Sequence, residues 1–325
     1  VLLALVGIVL WGAVSYTGLP TDAFPDISPV MVPVFAEAHG MAPEEIERLI
    51  TFPIESAMNG LPDVTLVKST SAFGMAVVYV YFEDDVDIYF ARQLVSERLS
   101  AAAGELPEMH DPPTLGPIST GLGEVFMYYL TMDSTVDTRG KDRLTYLREL
   151  NDWVVKYRLQ SVRGVTDVLS MGWHVLQYRI RIDPHALNKY DIGLEDVVAT
   201  VNANNDNAGG QFLVLGSEEY LVRGIGLVQT RDHLRDMQVK VVDGTPVRLR
   251  DIARIDYGRE IRRGVVTRNG TEEVVAGIVI KLFGENTSNV IARLRDAFSE
   301  LDRLLPEGVA VETYYNQKRL VDNAT

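Results

Sequence analysis

The stretch VTLVKSTSAFGMAVVYVYF, residues 64–82, contains two runs rich in Val, Thr, Tyr and Phe, at 64–71 and 75–82. Such composition favours strands, and the step Ala72-Phe73-Gly74 between them suits a turn. Upstream, Pro43 to Gly60 reads as a helix, with Glu44, Glu45 and Glu47 in its first turns, where the helix dipole favours acids. Residues 30–38 have strand-like composition before it. Downstream, Asp87 is placed to cap a helix running to about Glu105, with Phe90, Leu94, Val95 and Leu99 on its apolar side. Four prolines between Pro107 and Pro117 then predict a loop or an extended edge.

The same order recurs further on. Residues 125–132 read as a strand and 142–162 as a helix, with Leu144, Leu147, Leu150, Val154, Tyr157 and Leu159 near helical spacing. Residues 165–171 and 175–182 read as strands, split by Gly172-Trp173-His174. The joins match in detail: Leu61-Pro62-Asp63-Val64-Thr65 in one copy, Arg163-Gly164-Val165-Thr166-Asp167 in the other. Strand–helix–strand–strand, repeated at a domain-scale spacing of about 100 residues, is the split βαβ, ferredoxin-like pattern. It is informative about fold and silent about chemistry.

Between Asp183 and Gly258 the rhythm changes, as in an insertion. A helix is predicted over 194–205, a turn over 204–210, a strand over 219–225 and a short helix over 232–237. A hairpin turn follows at Asp243-Gly244, then a strand over 247–257. The earlier rhythm then resumes: strands at 265–268 and 274–282 around Asn269-Gly270, a helix over 288–305 and a strand over 309–315.

Residues 1–21 contain no charge, and most of 1–19 is apolar. As a helix that run spans roughly 28 Å, close to the thickness of a bilayer's hydrocarbon core. A signal peptide would need a basic start and a small-residue cleavage site, neither of which is visible, and buried core helices are usually shorter and amphipathic. A transmembrane helix is therefore expected at 1–19.

The formal charge is −14, from 31 Lys and Arg against 45 Asp and Glu. This disfavours nucleic acid, which needs a basic face. There is no cysteine, so disulfides, thiolate metal sites and Cys nucleophiles are excluded. No nucleophile elbow, Walker loop, HExxH or dinucleotide fingerprint is present, so enzyme readings find no support.

Several stretches, taken in order, resemble a known family: Asp22-Ala23-Phe24-Pro25-Asp26 after the apolar run, Pro53-Ile54-Glu55, Met58-Asn59-Gly60-Leu61-Pro62 and Phe82-Glu83-Asp84. Further on come Leu115-Gly116-Pro117-Ile118-Ser119-Thr120-Gly121-Leu122-Gly123-Glu124, Arg262-Arg263-Gly264 and Leu305-Pro306-Glu307-Gly308-Val309. The chain is similar throughout to the heavy-metal efflux branch of the resistance-nodulation-division (RND) transporters, of the cobalt–zinc–cadmium type. The resemblance implies an α+β protein. Its parts would be a first transmembrane helix at 1–19, a first porter subdomain at 30–119 and a second at 120–182 with 264–317. A docking subdomain would be inserted at 183–263, and a second membrane helix would start at 318–325. It further implies the N-terminal part of a homotrimeric, proton-driven pump in a bacterial inner membrane, with most of this segment in the periplasm. Such a pump works with a periplasmic adaptor protein and an outer-membrane channel. Its substrate would be a divalent metal cation, and it would carry no cofactor.

Glu124 is the one candidate metal ligand. A transported cation needs oxygen or nitrogen ligands that also release it, and a carboxylate beside a Gly-rich loop approaches a cleft without crowding. In the resemblance, the position after Thr-Gly-Leu-Gly matches a substrate-site carboxylate of zinc-type relatives. On residue type alone Glu124 is a surface acid before a strand. His39, His110, His174, His185 and His233 show no metal-pair spacing, and the nine methionines form no visible triad. Asp84, Asp85 and Asp87 are explained by helix capping, and Arg262-Arg263 by a domain junction. Two other readings stand beside a cation pump. One is a multidrug-type pump of the same superfamily, which would show an aromatic, apolar pocket. The other is a membrane-tethered periplasmic binding module that transports nothing.

Overall fold

The computed structural model describes residues 7, 9, 11, 12, 28–38, 40–107, 109, 111–207, 212–215, 218–221, 224, 226–259 and 264–319. Most of the predicted membrane helix at 1–19, most of the segment 318–325, part of the turn at 204–210, His39, His110 and the pair Arg262-Arg263 lie outside them. Among the described residues no helix is long and apolar enough to cross a membrane. The chain forms two compact units, residues 1–172 with 266–325, and residues 173–265.

Strand β1 (Met31–Glu37) leads into helix α1, residues 43–58, and then the hairpin β2 (Val64–Ala72) and β3 (Met75–Phe82). Helix α2 (Ile88–Ala102) and the short edge strand β4 (Thr114–Leu115) follow. The sheet order is β2-β3-β1-β4, antiparallel throughout. Alternation decides its faces: Val32, Val34 and Ala36 pair with Val80, Val78 and Ala76, and all six are buried beneath the helices. Ile46, Ile50, Ile54 and Met58 of α1 and Ala91, Val95 and Leu99 of α2 close this core. The Asp87 carboxylate accepts from the backbone N–H groups of Tyr89 (2.9 Å) and Phe90 (3.0 Å), the predicted cap. Phe90, expected on the apolar stripe, is exposed. Val95 and Leu99 are buried as expected, Leu94 packs against the core, and Ala91 takes the inward position in place of Phe90.

The second copy begins with β5 (Glu124–Met132), helix α3, residues 143–160, and β6 (Val165–Met171). Both α1 and α3 contain a wide π-helical turn, Glu47–Thr51 in one and Asn151–Val155 in the other. The extra residue in such a turn advances the helical phase. Accordingly Val155 and Leu159 are buried in α3, whereas Tyr157, expected inward, is exposed.

After Met171 the structure departs from the sequence reading. β7 (Leu176–Ile182) does not form a hairpin with β6. It belongs to the second unit, which continues with α4 (Pro184–Tyr190), α5 (Leu194–Ala203), the hairpin β8 (Phe212–Leu215) and β9 (Glu218–Leu221), and α6 (Arg231–Arg235). Next come β10 (Gln238–Val242), β11 (Thr245–Arg248), α7 (Leu249–Ile252) and β12 (Ala253–Arg259), which pairs with β7. Asp243 and Gly244 turn between β10 and β11 with φ of 48° and 79°, as a type I′ hairpin requires. The strand predicted over 247–257 is interrupted by α7. Leu249 and Ile252 both enter the core, an i, i+3 spacing only a helical turn allows, and the Asp251 carboxylate accepts from the Arg248 N–H at 2.8 Å.

The chain then re-enters the first unit as the small hairpin β13 (Thr267–Arg268) and β14 (Glu272–Glu273), β15 (Val275–Lys281), α8 (Thr287–Leu304) and β16 (Val309–Asn316). The second sheet runs β16-β5-β15-β6, again antiparallel. It has the strand order of the first sheet, with β15 in the place of β3. The strand expected at 175–182 is thus supplied by 275–281, beyond the insertion. Composition explains the exchange. β15 reads VAGIVIK and is buried along almost its whole length, as a central strand must be. β7 reads LQYRIRI, whose alternating arginines keep one face in water.

Candidate functional site

Glu124 opens β5 and is exposed. The loop before it is fixed by backbone bonds. The Gly123 N–H donates to the Thr120 carbonyl (3.0 Å), and the Lys281 N–H donates to the Gly123 carbonyl (2.7 Å). A Cβ at Gly123 would stand 3.1 Å from the Thr120 oxygen and 3.4 Å from that of Lys281, so a side chain there would crowd this junction. Opposite Glu124 on β15 is Ile280, where the register shifts by a bulge. Bulges bend a strand and re-aim its side chains.

Helices α3 and α8 cover the side of the second sheet that carries Phe126, Tyr128 and Leu130. Phe126 stacks on Phe298 of α8 at 4.8 Å, and the Tyr128 hydroxyl donates to Asn151 Oδ1 (2.9 Å). Met127, Tyr129 and Thr131, alternating with them, mark the other side. There a cavity of about 460 Å³ is lined by Tyr129, Tyr314, Arg268, Asn269, Thr267 and Ala276, among others.

The chemistry of this cavity is mixed aromatic and ionic. The Tyr129 and Tyr314 rings are 6.1 Å apart. The Asn269-Gly270 turn, with φ of 53° and 69°, joins β13 to β14, and the Arg268 guanidinium carbon lies 5.2 Å from the Tyr129 ring centre. A cation above a phenol face is attracted by the ring quadrupole. The Tyr129 hydroxyl donates to the Glu312 carboxylate, which holds the phenol proton and raises its pKa above the ordinary value. The Tyr314 phenol is raised as well, first by burial and then by the negative charge of Glu124. Tyr314 lines the cavity, and Glu124 does not.

Among the described residues no group of three or more His, Asp or Glu could hold a metal ion. The sequence reading singled out Glu124 and overlooked Tyr129, Arg268, Glu312 and Tyr314. The residue alternation of β5 would have placed Tyr129 on the side opposite Phe126, Tyr128 and Leu130. Nothing local pairs Tyr129 with Glu312, 183 residues away. Asp87 serves its helix, while His233 Nδ1 accepts from the Gln229 N–H at 3.4 Å, and His174 lies edge-on to Trp173.

The whole chain, residues 1–325, matches the AcrB/AcrD/AcrF family. It is 42% identical over 328 residues to a cation efflux system protein CzcA of Alcaligenes sp. (strain CT14), covering all of this chain and 30% of that protein. Identity is also 42% to the cobalt-zinc-cadmium resistance protein CzcA of Cupriavidus metallidurans, with the same coverage. The fold superposes on the crystal structure of a heavy metal efflux pump with a TM-score of 0.87 at 34% identity, covering 99% of this chain and 32% of that one. The chain thus spans about a third of the length of its relatives. It belongs to the AcrB/AcrD/AcrF family of RND efflux transporters, within the heavy-metal branch.

Proposed function

We propose that this chain is the N-terminal part of a proton-driven pump that exports divalent heavy-metal cations across a bacterial inner membrane. The observation that carries the reading is the 42% identity, along the entire chain, to proteins named for cation efflux and cobalt-zinc-cadmium resistance. In this reading residues 1–19 form a membrane helix, and the two four-stranded sheets with their helices are ferredoxin-like porter subdomains in the periplasm. The unit 173–265 is the docking subdomain. The pump works as a homotrimer with a periplasmic adaptor protein and an outer-membrane channel. Glu124 serves as a transient ligand for the passing cation. Its exposure supports this role, because a carboxylate that must release its cargo is reached from water and does not need a closed set of ligands.

The tyrosines of the cavity are the one observation that favours a multidrug pump. Arg268 and Glu312, which contact Tyr129, weigh against an apolar cargo. The deciding experiment expresses the full-length protein in a metal-sensitive bacterial strain and measures growth against zinc, cobalt and cadmium. Wild-type protein raises tolerance, and Glu124→Gln at equal abundance lowers it at least severalfold. Unchanged tolerance with Glu124→Gln removes the ligand role. No tolerance from the wild type removes cation export.

A further inference from the structure

From the β7–β12 ribbon we infer a docking strip for an extended acidic segment of a partner protein. The inference concerns a surface of the unit 173–265 and does not depend on Glu124 or on the cavity.

The register of the ribbon assigns its two faces. Arg181 pairs with Arg254, Arg179 with Asp256 and Gln177 with Gly258, and these six positions share one face. The other face places Ile180, Ile182, Ala253 and Ile255 against the core of the unit. The arginine face is therefore turned outward. It presents three guanidinium groups and one carboxylate, and all its cations are arginine. The guanidinium group is planar and weakly hydrated and matches a carboxylate in two-point geometry, which lysine does not.

The single acid leaves the strip positive. Asp256 bonds both Arg181 and Arg254, yet those side chains remain 57% and 76% exposed. Arg179 donates to the Arg259 carbonyl at 2.8 Å, a bond that fixes its position without neutralising its charge. Gly258 makes room for it: a Cβ there would stand 2.7 Å from Arg179 Nε and 2.9 Å from its Cβ, so only glycine lets this side chain lie across the strand. Each of the three guanidinium groups thus has a partner within the ribbon before any other protein arrives.

Charge and spacing select the partner. Residues 173–265 contain 13 Lys and Arg and 13 Asp and Glu, whereas the rest of the chain has 18 and 32. This unit is thus formally neutral, while the rest of the chain carries the net charge of −14 that repels an acidic partner. Alternate residues on a strand lie about 7 Å apart, and cross-strand neighbours about 5 Å. An extended segment with acids at every second residue repeats at the same distance and meets the row with two or three carboxylates. A nucleic acid or a lipid surface brings many more negative charges against a chain of −14 and is disfavoured.

The test uses the full 325-residue chain and fluorescence anisotropy. The probe is a labelled peptide of alternating Glu and Thr. Controls are the Gln-Thr peptide, a peptide of the same composition with its Glu residues in one block, and a single-stranded oligonucleotide. The alternating acidic peptide is expected to bind, and to weaken at least about tenfold with Arg179→Glu/Arg181→Glu/Arg254→Glu and with added salt. Arg179→Lys/Arg181→Lys/Arg254→Lys keeps the charge and is expected to lose affinity partially. Circular dichroism establishes that the variants are folded. Absence of binding to the alternating peptide overturns the inference. So does affinity unchanged by charge reversal, equal binding of the block peptide, or preference for the oligonucleotide.

Discussion

Gly277 of β15 lies directly against Tyr128 of β5: a Cβ at Gly277 would stand 2.2 Å from the Tyr128 ring and 2.3 Å from its hydroxyl oxygen. The two residues face each other across the strand pair, and Tyr128 is fully buried. The tyrosine fills the room left by the missing side chain, and its hydroxyl then reaches Asn151, which in turn donates to Ser170 Oγ (2.9 Å). A glycine inside a strand is ordinarily a weakness. Here it admits a large side chain and the polar network beneath the sheet.

Gly277→Ala is therefore expected to destabilise the protein by about 1–3 kcal/mol or more through overpacking. In a Tyr128→Leu background the same change should cost much less, because the clashing ring is gone. Urea unfolding of the two single variants and the double variant measures this coupling. Additive effects would mean that the glycine is needed for some other reason.

Burial of Tyr128, and then the charge of Asp152, raises its phenol pKa far above the ordinary 10.0. Below pH 10 the phenol is protonated whether the chain is folded or not, so its contribution to stability is fully present. Above that pH the unfolded chain ionises while the folded one resists, and stability falls as pH rises. Tyr128→Phe should flatten this alkaline decline. At neutral pH it should cost about 1–2 kcal/mol, because the buried Asn151 loses its donor. Thermal unfolding of both proteins between pH 7 and 11 decides the matter. Parallel curves would place the alkaline sensitivity elsewhere.

The negative charge of Glu124 contributes to the raised pKa of Tyr314, behind burial. Glu124→Gln should lower that pKa, because the neutral amide no longer opposes phenolate. Since Tyr314 lines the cavity, the shift reports how close the proposed ligand lies to it. Nuclear magnetic resonance of ring-labelled tyrosine follows the titration. An unmoved Tyr314 would mean that Glu124 points away from the cavity.

Much of this protein was legible along the chain because the relevant forces act over a few residues. Asp87 caps α2 because its carboxylate meets N–H groups two and three positions on. Asp243-Gly244 and Asn269-Gly270 turn because those residues tolerate positive φ. The duplicated order of strands and helices followed from period and composition, and the in-order motifs carried the family. The phase of α3 was misjudged because a π-turn leaves no mark in a simple apolar period.

The sequence by itself determined the local elements, their duplication and the kinship of the chain. Tertiary structure alone decided that β15, and not β7, completes the second sheet, and that Tyr129, Glu312, Tyr314 and Arg268 gather around one cavity. The reason is physical: a strand's periodicity tells which of its faces is buried, but its hydrogen bonds go to whichever edge the folded chain brings beside it. That edge was more than 90 residues away for β6 and β15, and no local pattern encodes such a distance.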